Sequence, residues 1–367
     1  MNANLSTVFR NFRIHGSYLE SRPYGNGHIN DTLVAAFSQS GTRVRYIFQR
    51  INGRIFKDPE AVMDNILRVT GEARRQLIRV GVPDTSRRTL SVIPATDGRP
   101  FHKDEEGGYW RCYPFIENAR TYDIIQNTRQ AYEAARAFGE FQNLVAGLGG
   151  PRLHETIPNF HNTRSRFERL KELAGADPHG RLASAAPEWE FLRERECLVD
   201  VLLNLQADGR IPERITHNDT KLNNVMIDDA METAICVIDL DTVMPGLALY
   251  DFGDMVRTAT SPAAEDEPDV KKVRMQMPMF EALVRGYLST AGAFLNETEK
   301  SHLAFSGKLI ALEIGMRFLT DHLEGDIYFK TKRPGHNLDR CRTQLALVKS
   351  IEEQEEAMNA FVQEVAE

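Results

Sequence analysis

The sequence predicts an α+β protein in which a small antiparallel-sheet domain precedes a larger, mainly helical domain. Three patterns indicate this fold class. The N-terminal part alternates in the manner of strands, the part after Glu117 has the spacing of amphipathic helices, and a short strand-like island interrupts the helical part at residues 223–241. We therefore expect one domain at residues 1–116 and a second at residues 117–367.

The sheet domain begins with a glycine turn in "PYGNGHIND", which carries Gly25 and Gly27. A strand-like run, "TLVAAF", follows, and "SQSGT" predicts the turn of a hairpin. The next run, "GTRVRYIFQRIN", alternates so that one face carries Val44, Tyr46 and Phe48. Residues 59–80 have helical spacing, and Pro59 suits a first helical turn. Two further strands, "TLSVIPA" and "YWRCYPFIE", complete the predicted domain.

Helical periodicity dominates the second domain. The run "RQAYEAARAFGEFQNLVAG" has an apolar stripe, the stretch 188–206 predicts another helix, and the chain from Glu299 onward is mostly helical. The island consists of "NNVMID", a turn in "DAMETA", and "ICVIDLD". It predicts a short hairpin that carries polar residues at both ends.

The amino-acid composition argues against several classes of protein. The 367 residues include 42% hydrophobic and 26% charged residues, with a formal net charge of -7, which argues against a nucleic-acid-binding protein. The four cysteines lack C-x-x-C spacing, and no apolar run indicates a signal peptide or a membrane span. We expect a cytoplasmic protein without a membrane or nucleic-acid partner, as a monomer or small homo-oligomer.

The stretch "THNDTKLNN" contains the groups that phosphoryl transfer requires. Such a site needs a carboxylate to orient the acceptor hydroxyl and accept its proton, and oxygen ligands for a metal ion. The spacing His-x-Asp-x-x-x-x-Asn, met by His217, Asp219 and Asn224, is the spacing of a kinase catalytic loop. Asp239 follows Asp219 by twenty residues, at the end of a strand, where a metal-binding carboxylate belongs. We expect Asp219 to be the general base and Asn224 and Asp239 to hold the metal.

Other residues near this motif have structural interpretations. Asp251 begins an Asp-Phe-Gly sequence, but it lies too far from Asp219 and precedes a predicted helix, so we expect it to cap that helix or brace the catalytic loop. His217 is expected to bond loop backbone. Lys221 has two open interpretations: it neutralises the γ-phosphate in the transition state, or it is a solvated surface lysine.

Nucleotide binding is assigned to the sheet domain. Gly25 and Gly27 would let backbone N–H groups approach phosphate. A kinase would place a lysine on the next strand, where this sequence has Gln49 and Arg50. Arg50 is the predicted substitute, although the alternation leaves open whether it or Gln49 contacts phosphate. Adenine would be read by backbone groups between the domains, up to Glu117.

These residues resemble a known superfamily. "THNDTKLNN", "VIDLDTVMPG" and "YDFGD" look like motifs of the aminoglycoside-phosphotransferase/choline-kinase superfamily. "PYGNGHIN", "YIFQRIN", "AFGEFQN", "GMRFLTDHLEGDIYF" and "HNLDRCRTQ" look, in the same order, like its anomeric N-acetylhexosamine kinases. The resemblance covers nearly the whole chain. It implies a protein-kinase-like, two-lobed fold and ATP- and Mg²⁺-dependent phosphorylation of the C1 hydroxyl of GlcNAc, GalNAc or a related hexose.

The resemblance also implies roles for individual residues. Asp219 would be the base, Asn224 and Asp239 would hold magnesium, and Asp239 would also touch the sugar. The positions that match its sugar pocket are His28, Arg317 and Tyr328. From the residues alone, Arg317 lies in an apolar helix, where a salt bridge to Asp321 or Glu313 is an equal alternative.

Two other functions remain alternatives, and a third, protein kinase activity, is disfavoured. A kinase of the same fold could act on an aminoglycoside, choline or homoserine. An aminoglycoside pocket should be rich in carboxylates, and a choline pocket should be lined with aromatic rings, whereas His28, Arg317 and Tyr328 favour a neutral sugar. The intact Asp219 argues against a catalytically inactive binding protein. Protein kinase activity is disfavoured because no activation loop of the usual length separates Asp239 from Asp251.

Overall fold

The computed structural model describes residues 3–25 and 29–367. The helices are α1 (Ala3–Arg10), α2 (Pro59–Arg79), α3 (Thr128–Val145), α4 (Thr163–Ala176), α5 (Ala186–Arg193), α6 (Val201–Ala207), α7 (Ala248–Ala259), α8 (Met277–Ala291), α9 (Glu297–Ser301), α10 (Leu303–Glu324), α11 (His336–Glu352) and α12 (Glu355–Ala366). The strands are β1 (Ser17–Pro23), β2 (Asp31–Gln39), β3 (Thr42–Arg50), β4 (His102–Lys103), β5 (Tyr109–Pro114), β6 (Ala119–Arg120), β7 (Arg214–Thr216), β8 (Val225–Asp228), β9 (Ala234–Val237) and β10 (Met244–Gly246). Across these two ranges, no helix has both the length and the apolar character needed to cross a membrane.

The chain forms two compact units. The sheet unit comprises Met1–Arg120, Leu144–Pro158 and Met226–Met244, and the helical unit comprises Thr121–Asn143, Asn159–Val225 and Pro245–Glu367. The functional division into residues 1–116 and 117–367 stays a prediction, as do the cytoplasmic location and the oligomeric state.

An antiparallel sheet of order β1-β2-β3-β5-β4 forms the larger part of the sheet unit. The predicted hairpin of β2 and β3 is confirmed, and its turn uses Ser40 and Gly41, both with positive φ. One face of the sheet packs with α1 into a core of Val8, Phe9, Phe12, Ala35, Phe37, Phe48, Trp110 and Cys112. The predicted island is confirmed as β8 and β9, which form a second sheet with β6.

Helix α2 confirms the predicted helix at residues 59–80 to within one residue. The Asp58 carboxylate accepts the N–H of Ala61 at 3.0 Å and caps the helix, and Pro59 occupies the first turn, where its missing N–H is harmless. On its buried face, Asn65 Nδ2 donates to the carbonyl oxygen of Val243 at 2.9 Å. This contact ties α2 to the segment that follows Asp239 within the sheet unit.

Helix α10 is the central element of the helical unit, where it packs against α4, α7 and α11. It approaches α7 closely because two glycines face the contact. A Cβ on Gly253 would lie 2.4 Å from the carbonyl oxygen of Ser306, and one on Gly307 would lie 2.5 Å from the Val256 side chain. Larger residues at either position would force the two helices apart.

Two predicted elements differ from the structure. "TLSVIPA" is extended but is not a strand: Ile93 N donates to Cys112 O at 2.8 Å and Ala95 forms one isolated bridge with Phe12, whereas Pro94 lacks the N–H that a continuous ladder needs. The stretch 188–206 is two helices, α5 and α6, because hydrogen bonds of i to i−3 type at Arg195, Leu198 and Val199 replace the helical ladder. Helix α1 was not predicted.

Candidate active site

The loop that follows β7 is held by a carboxylate from helix α7. Asp251, which is fully buried, accepts the backbone N–H of His217 at 2.8 Å and of Asn218 at 2.7 Å. Asn218 has φ 64°, a left-handed conformation that asparagine tolerates better than most residues. Burial raises the pKa of the Asp251 carboxyl, although His217 and the two N–H groups oppose the shift.

A second carboxylate on α7, that of Asp254, also holds the backbone of this loop. Asp254 lies three residues after Asp251, hence on the same helical face, and accepts the N–H of Thr220 at 2.8 Å. Thr220 Oγ1 donates in return to the Asp251 carbonyl oxygen at 2.6 Å, and Arg257 pairs with Asp254 at 2.8 Å. The backbone of the loop is therefore fixed at three donor positions around Asp219, namely 217, 218 and 220.

These contacts decide between the structural interpretations of the sequence. Asp251 braces the loop at residues 217–220, as predicted, whereas the capping alternative is wrong because α7 begins at Ala248. His217 has the predicted backbone role: its buried ring accepts the N–H of Asp219 at Nδ1, 3.3 Å away, and packs edge-on against Phe138. Asp254 was not identified from the sequence, although its spacing from Asp251 was a usable signal.

Asp219 is partly exposed and has two side-chain partners. Lys221 Nζ lies 2.9 Å from Asp219 Oδ1, and Asn224 Nδ2 lies 3.1 Å from Oδ2 and 2.8 Å from the Asp219 carbonyl oxygen. Burial alone would raise the pKa of the Asp219 carboxyl, but the charge and hydrogen bond of Lys221 outweigh it and hold that pKa below its usual value. Asp219 is thus an anion at neutral pH, and Lys221 forms an ion pair with it while its side chain stays 42% exposed.

The orientation of the Asn224 amide fits a cation ligand. Because its Nδ2 is committed to Asp219, its Oδ1 is the atom that faces away, and amide oxygen is a ligand that Mg²⁺ accepts. Nowhere in residues 3–25 and 29–367 do three or more His, Cys, Asp or Glu side chains cluster to hold a metal. Mg²⁺ does not need such a cluster, since it is usually bound by one or two protein groups together with substrate phosphates.

Asp239 belongs to the sheet unit and has a left-handed backbone, with φ 59° and ψ 60°. That conformation is strained for a residue with a Cβ and is often found at functional sites. The buried pair of Arg111 and Asp241 lies beside this turn, and the Asp239 charge helps to raise the pKa of Arg111 against the effect of burial. Convergence of Asp239 with Asp219 and Asn224 on one cation stays a prediction.

The predicted nucleotide residues have the following surroundings. Gly25 has φ 77° and open space where a Cβ would stand, whereas Gly27 and His28 lie outside the described residues. Arg50 lies 3.4 Å from Glu106 and 4.0 Å from Asp104, so acidic groups already surround its charge. The Glu117 side chain pairs with Arg45, and Arg87 donates to the Glu117 carbonyl oxygen at 2.9 Å. Binding of nucleotide by Gly25, Gly27, Arg50 and Glu117 stays a prediction.

Arg317 is surrounded by aromatic rings in the helical unit. Its guanidinium carbon lies 5.0 Å, 5.9 Å and 5.7 Å from the ring centroids of Phe160, Tyr328 and Phe329. Both predicted salt-bridge alternatives are wrong. Glu313 bonds the His161 ring instead, and Asp321 accepts backbone N–H groups of the segment that carries Tyr328. No carboxylate within the described ranges pairs with the Arg317 guanidinium.

A group of buried polar atoms lies near Arg317, and the sequence gave no signal for it. His161 Nδ1 bonds Glu313 Oε1 at 2.9 Å, while His161 Nε2, Glu313 Oε2 and Arg166 Nε are buried without a partner in the described part of the chain. Burial lowers the pKa of Arg166, and the neighbouring Arg317 charge lowers it further. The centroid of the His161 ring lies 5.0 Å from that of Tyr250, the residue before Asp251, with the two rings tilted by 36°.

Comparisons with known proteins agree with this architecture. The family model described as "Phosphotransferase enzyme family" matches residues 21–288. The fold is similar to that of an aminoglycoside phosphotransferase from Alicyclobacillus acidocaldarius (11% identity, TM-score 0.62, covering 98% of this chain and 96% of the other). It is also similar to a choline kinase from Cryptosporidium parvum (14% identity, TM-score 0.58, covering 96% of each chain).

A third solved structure is the GDP complex of aminoglycoside 2'-phosphotransferase-IIIa (13% identity, TM-score 0.56, covering 94% of this chain and 99% of the other). At these identities the solved structures establish the fold alone. They confirm the predicted α+β, kinase-like fold class, with an antiparallel sheet in the N-terminal region and helices in the C-terminal region.

Proposed function

Because this chain belongs to the phosphotransferase enzyme family, we propose that it transfers the γ-phosphoryl group of ATP to the anomeric hydroxyl of an N-acetylhexosamine. It would thus be an N-acetylhexosamine 1-kinase. The nucleotide assignment is supported by the similar fold of a GDP complex. The acceptor assignment rests mainly on one observation: the aromatic cluster around Arg317 is filled by the chain's own cation.

Asp219 is the group that accepts the proton of the attacking hydroxyl. Its carboxylate is anionic at neutral pH, and its backbone is fixed by His217 and by the neighbours of that loop. A base must be held in hydrogen-bond reach of the hydroxyl that it deprotonates, and a rigid loop serves that need. Lys221, paired with Asp219 at 2.9 Å, supplies a positive charge that can balance the transferred phosphoryl group.

Asn224 Oδ1 and the Asp239 carboxylate are the proposed ligands for Mg²⁺, which would neutralise phosphate charge when bound. The bond from Asn224 Nδ2 to Asp219 orients the amide so that its oxygen faces away from the base. The same bond fixes the position of Asp219 Oδ2. One amide therefore serves both the base and the cation.

The cluster around Arg317 opposes cationic acceptors. Aromatic rings bind quaternary ammonium groups through their faces, but the rings of Phe160, Tyr328 and Phe329 already surround a guanidinium. A choline headgroup would have to displace that charge, and an aminoglycoside would be repelled by it. The proximity of Arg166 adds to the positive field. These contacts favour a neutral or anionic acceptor.

The buried polar atoms favour a polyhydroxylated acceptor. A buried donor or acceptor without a partner costs free energy unless a ligand or water satisfies it. His161 Nε2, Glu313 Oε2 and Arg166 Nε are such atoms in the described chain, and the charge of Arg166 interacts with those of Arg317 and Glu313. Sugar hydroxyls and an acetamido carbonyl oxygen can satisfy both donors and acceptors. Tyr328, which is 52% exposed, offers an apolar face beside them.

A coupled assay of ADP release tests the proposal. The acceptor panel contains GlcNAc, GalNAc, glucose, glucuronate, homoserine, choline and an aminoglycoside, with GTP as an alternative donor. The matched control is methyl-GlcNAc, whose anomeric oxygen is blocked. We expect turnover with GlcNAc or GalNAc, none with the methyl glycoside, and C1 phosphate in the NMR spectrum of the product. Turnover with choline or the aminoglycoside, but not with the sugars, would refute the acceptor assignment.

A further inference from the structure

The sheet face that carries Gln49 also carries a buried cation. Gln49 of β3 is paired in register with Arg111 of β5, and Arg111 Nε donates to Gln49 Oε1 at 3.0 Å. The opposite face holds the hydrophobic core around Phe48 and Trp110. Arg50 lies on that core face, at its acidic edge. On the face of Gln49, the positive charge therefore comes from Arg111 of the neighbouring strand.

Arg111 forms a fully buried ion pair with Asp241. The two residues are 1% and 2% exposed, and the guanidinium donates to Asp241 Oδ1. The attraction within a buried ion pair often fails to offset the free energy of desolvating both charges, so such a pair is weak evidence for a gain in stability. It can instead select one arrangement of the surrounding chain among several. Asp241 lies two residues after Asp239, inside the short turn whose left-handed first residue is Asp239. The pair is thus placed to hold that turn in its strained conformation.

Asp241 also binds the segment that follows the glycine turn. Asn30 Nδ2 donates to Asp241 Oδ2 at 2.5 Å, and Asn30 Oδ1 accepts the N–H of Asn52 at 2.9 Å. The Asp241 backbone is fixed as well, since Thr156 Oγ1 donates to its carbonyl oxygen at 2.8 Å. One carboxylate therefore connects the turn of Asp239, strand β5 and the residues that follow the glycine turn.

We propose that Arg111 and Asp241 are positioning residues for nucleotide phosphate and its divalent cation. The pair sets the Asp239 carboxylate and, through Asn30, the start of the chain segment that leads into β2, so that it takes over the ordering role of the absent strand lysine. Arg111 itself stays paired and buried. The inference rests on the proposed function only in that the chain binds Mg²⁺ and ATP, and it is independent of the acceptor.

The test separates positioning from stability with a double variant. Arg111→Met or Asp241→Leu alone leaves one buried charge unpaired and should lower the melting temperature strongly. The double variant Arg111→Met/Asp241→Leu removes both charges and should recover the melting temperature, because an apolar pair replaces the ion pair. Titration with fluorescent ATP, at several Mg²⁺ concentrations and without any acceptor, then measures nucleotide affinity for each protein.

We expect the double variant to bind Mg²⁺·ATP about tenfold more weakly than the wild type and to need more Mg²⁺ for half-maximal binding. Asn30→Ala, which keeps the ion pair, should weaken binding in the same direction. The matched control is Arg43→Met, whose partner Glu20 is exposed. Recovery of nucleotide affinity together with the melting temperature would overturn the inference, as would wild-type affinity in Asn30→Ala. Because no sugar is present, neither result depends on the acceptor.

Discussion

Asp251 accepts the backbone N–H of His217 at 2.8 Å, from a helix that lies more than thirty residues away in sequence. The Asp-Phe-Gly sequence that starts at Asp251 therefore holds the backbone of the loop that carries Asp219. The contact also connects the loop to the region of Arg317, because Tyr250, one residue earlier on the same helix, packs against His161. A change at Asp251 should affect geometry more than metal binding.

Asp219→Asn should abolish most turnover while nucleotide binding persists. The change deletes the proton acceptor but keeps a side chain of the same shape, and loss of a general base costs about a hundredfold to ten-thousandfold in rate. Steady-state kcat and a titration with Mg²⁺·ATP measure the two effects separately. Asp208→Asn, at an exposed position, is the control and should keep normal turnover. A near-normal rate in Asp219→Asn would mean that the base is a different group.

Asp251→Asn should lower stability and turnover without changing the Mg²⁺ requirement. The carboxylate accepts from His217, Asn218 and Gln142, and an amide turns an N–H towards at least one of these donors. We expect a loss of about 2 to 4 kcal/mol in the free energy of unfolding.

The Mg²⁺ concentration for half-maximal activity separates this role from metal binding. It should stay at the wild-type value in Asp251→Asn and rise in Asn224→Ala, which removes a proposed ligand. A large rise in Asp251→Asn alone would show that Asp251 binds the metal after all.

Asp321→Asn should raise the KM for the acceptor and leave the KM for ATP unchanged. The Asp321 carboxylate is buried and accepts three consecutive N–H groups at 2.7–2.9 Å, from Ile327, Tyr328 and Phe329. It thereby fixes the backbone of Tyr328 and Phe329, two of the three residues whose rings lie around Arg317. A partly exposed comparator, Glu324→Gln, removes only an ion-pair partner of Arg169 and should change neither constant. Equal increases in both KM values would indicate general unfolding instead.

Arg317→Ala should lower kcat/KM for the acceptor about tenfold to a hundredfold, because a charged hydrogen bond of about 1.5 to 3 kcal/mol is lost. The change also removes the cation that contacts the rings of Phe160, Tyr328 and Phe329. Added guanidinium should therefore restore part of the activity, whereas tetramethylammonium, which has no N–H, should not. Equal effects of the two cations would show that the donors of Arg317 are not what the acceptor needs.

His322 should make the protein less stable at mildly acidic pH. The ring is 5% exposed, neither ring nitrogen has a partner in the described chain, and burial lowers its pKa. The unfolded chain then binds the proton more readily below about pH 6.5, so stability falls as pH falls through that value. The charged groups around the ring are Asp326, Arg181, Arg342 and Glu188.

The measurement is the difference in unfolding free energy between about pH 7.5 and about pH 5.5. It should be smaller in His322→Gln than in the wild type. His15→Gln, at an exposed position, should leave the difference unchanged. An unchanged difference in His322→Gln would assign the acid sensitivity to another group.

Sequence and structure agree best where the controlling interactions are local. The hairpin at Gly41, the start of α2 at Pro59 and the backbone role of His217 depend on neighbours within a few residues, and each was predicted correctly. Predictions were wrong where a proline or a contact with a distant residue overrode the local sequence pattern. Pro94 interrupts a run with strand-like composition, and Arg195 leaves the helical ladder where it pairs with Glu352.

The sequence by itself determined the fold class, the spacing of Asp219, Asn224 and Asp239, and a structural role for Asp251, because turn preferences, alternation and short offsets act along the chain. Whether Asp251 caps a helix or braces the loop was decided by the tertiary structure. Only the tertiary structure decided the partners of buried charges. Arg111 with Asp241 and His161 with Glu313 are each separated by more than a hundred residues. A buried charge must find its partner in space, and no periodicity in the sequence specifies which distant residue that will be.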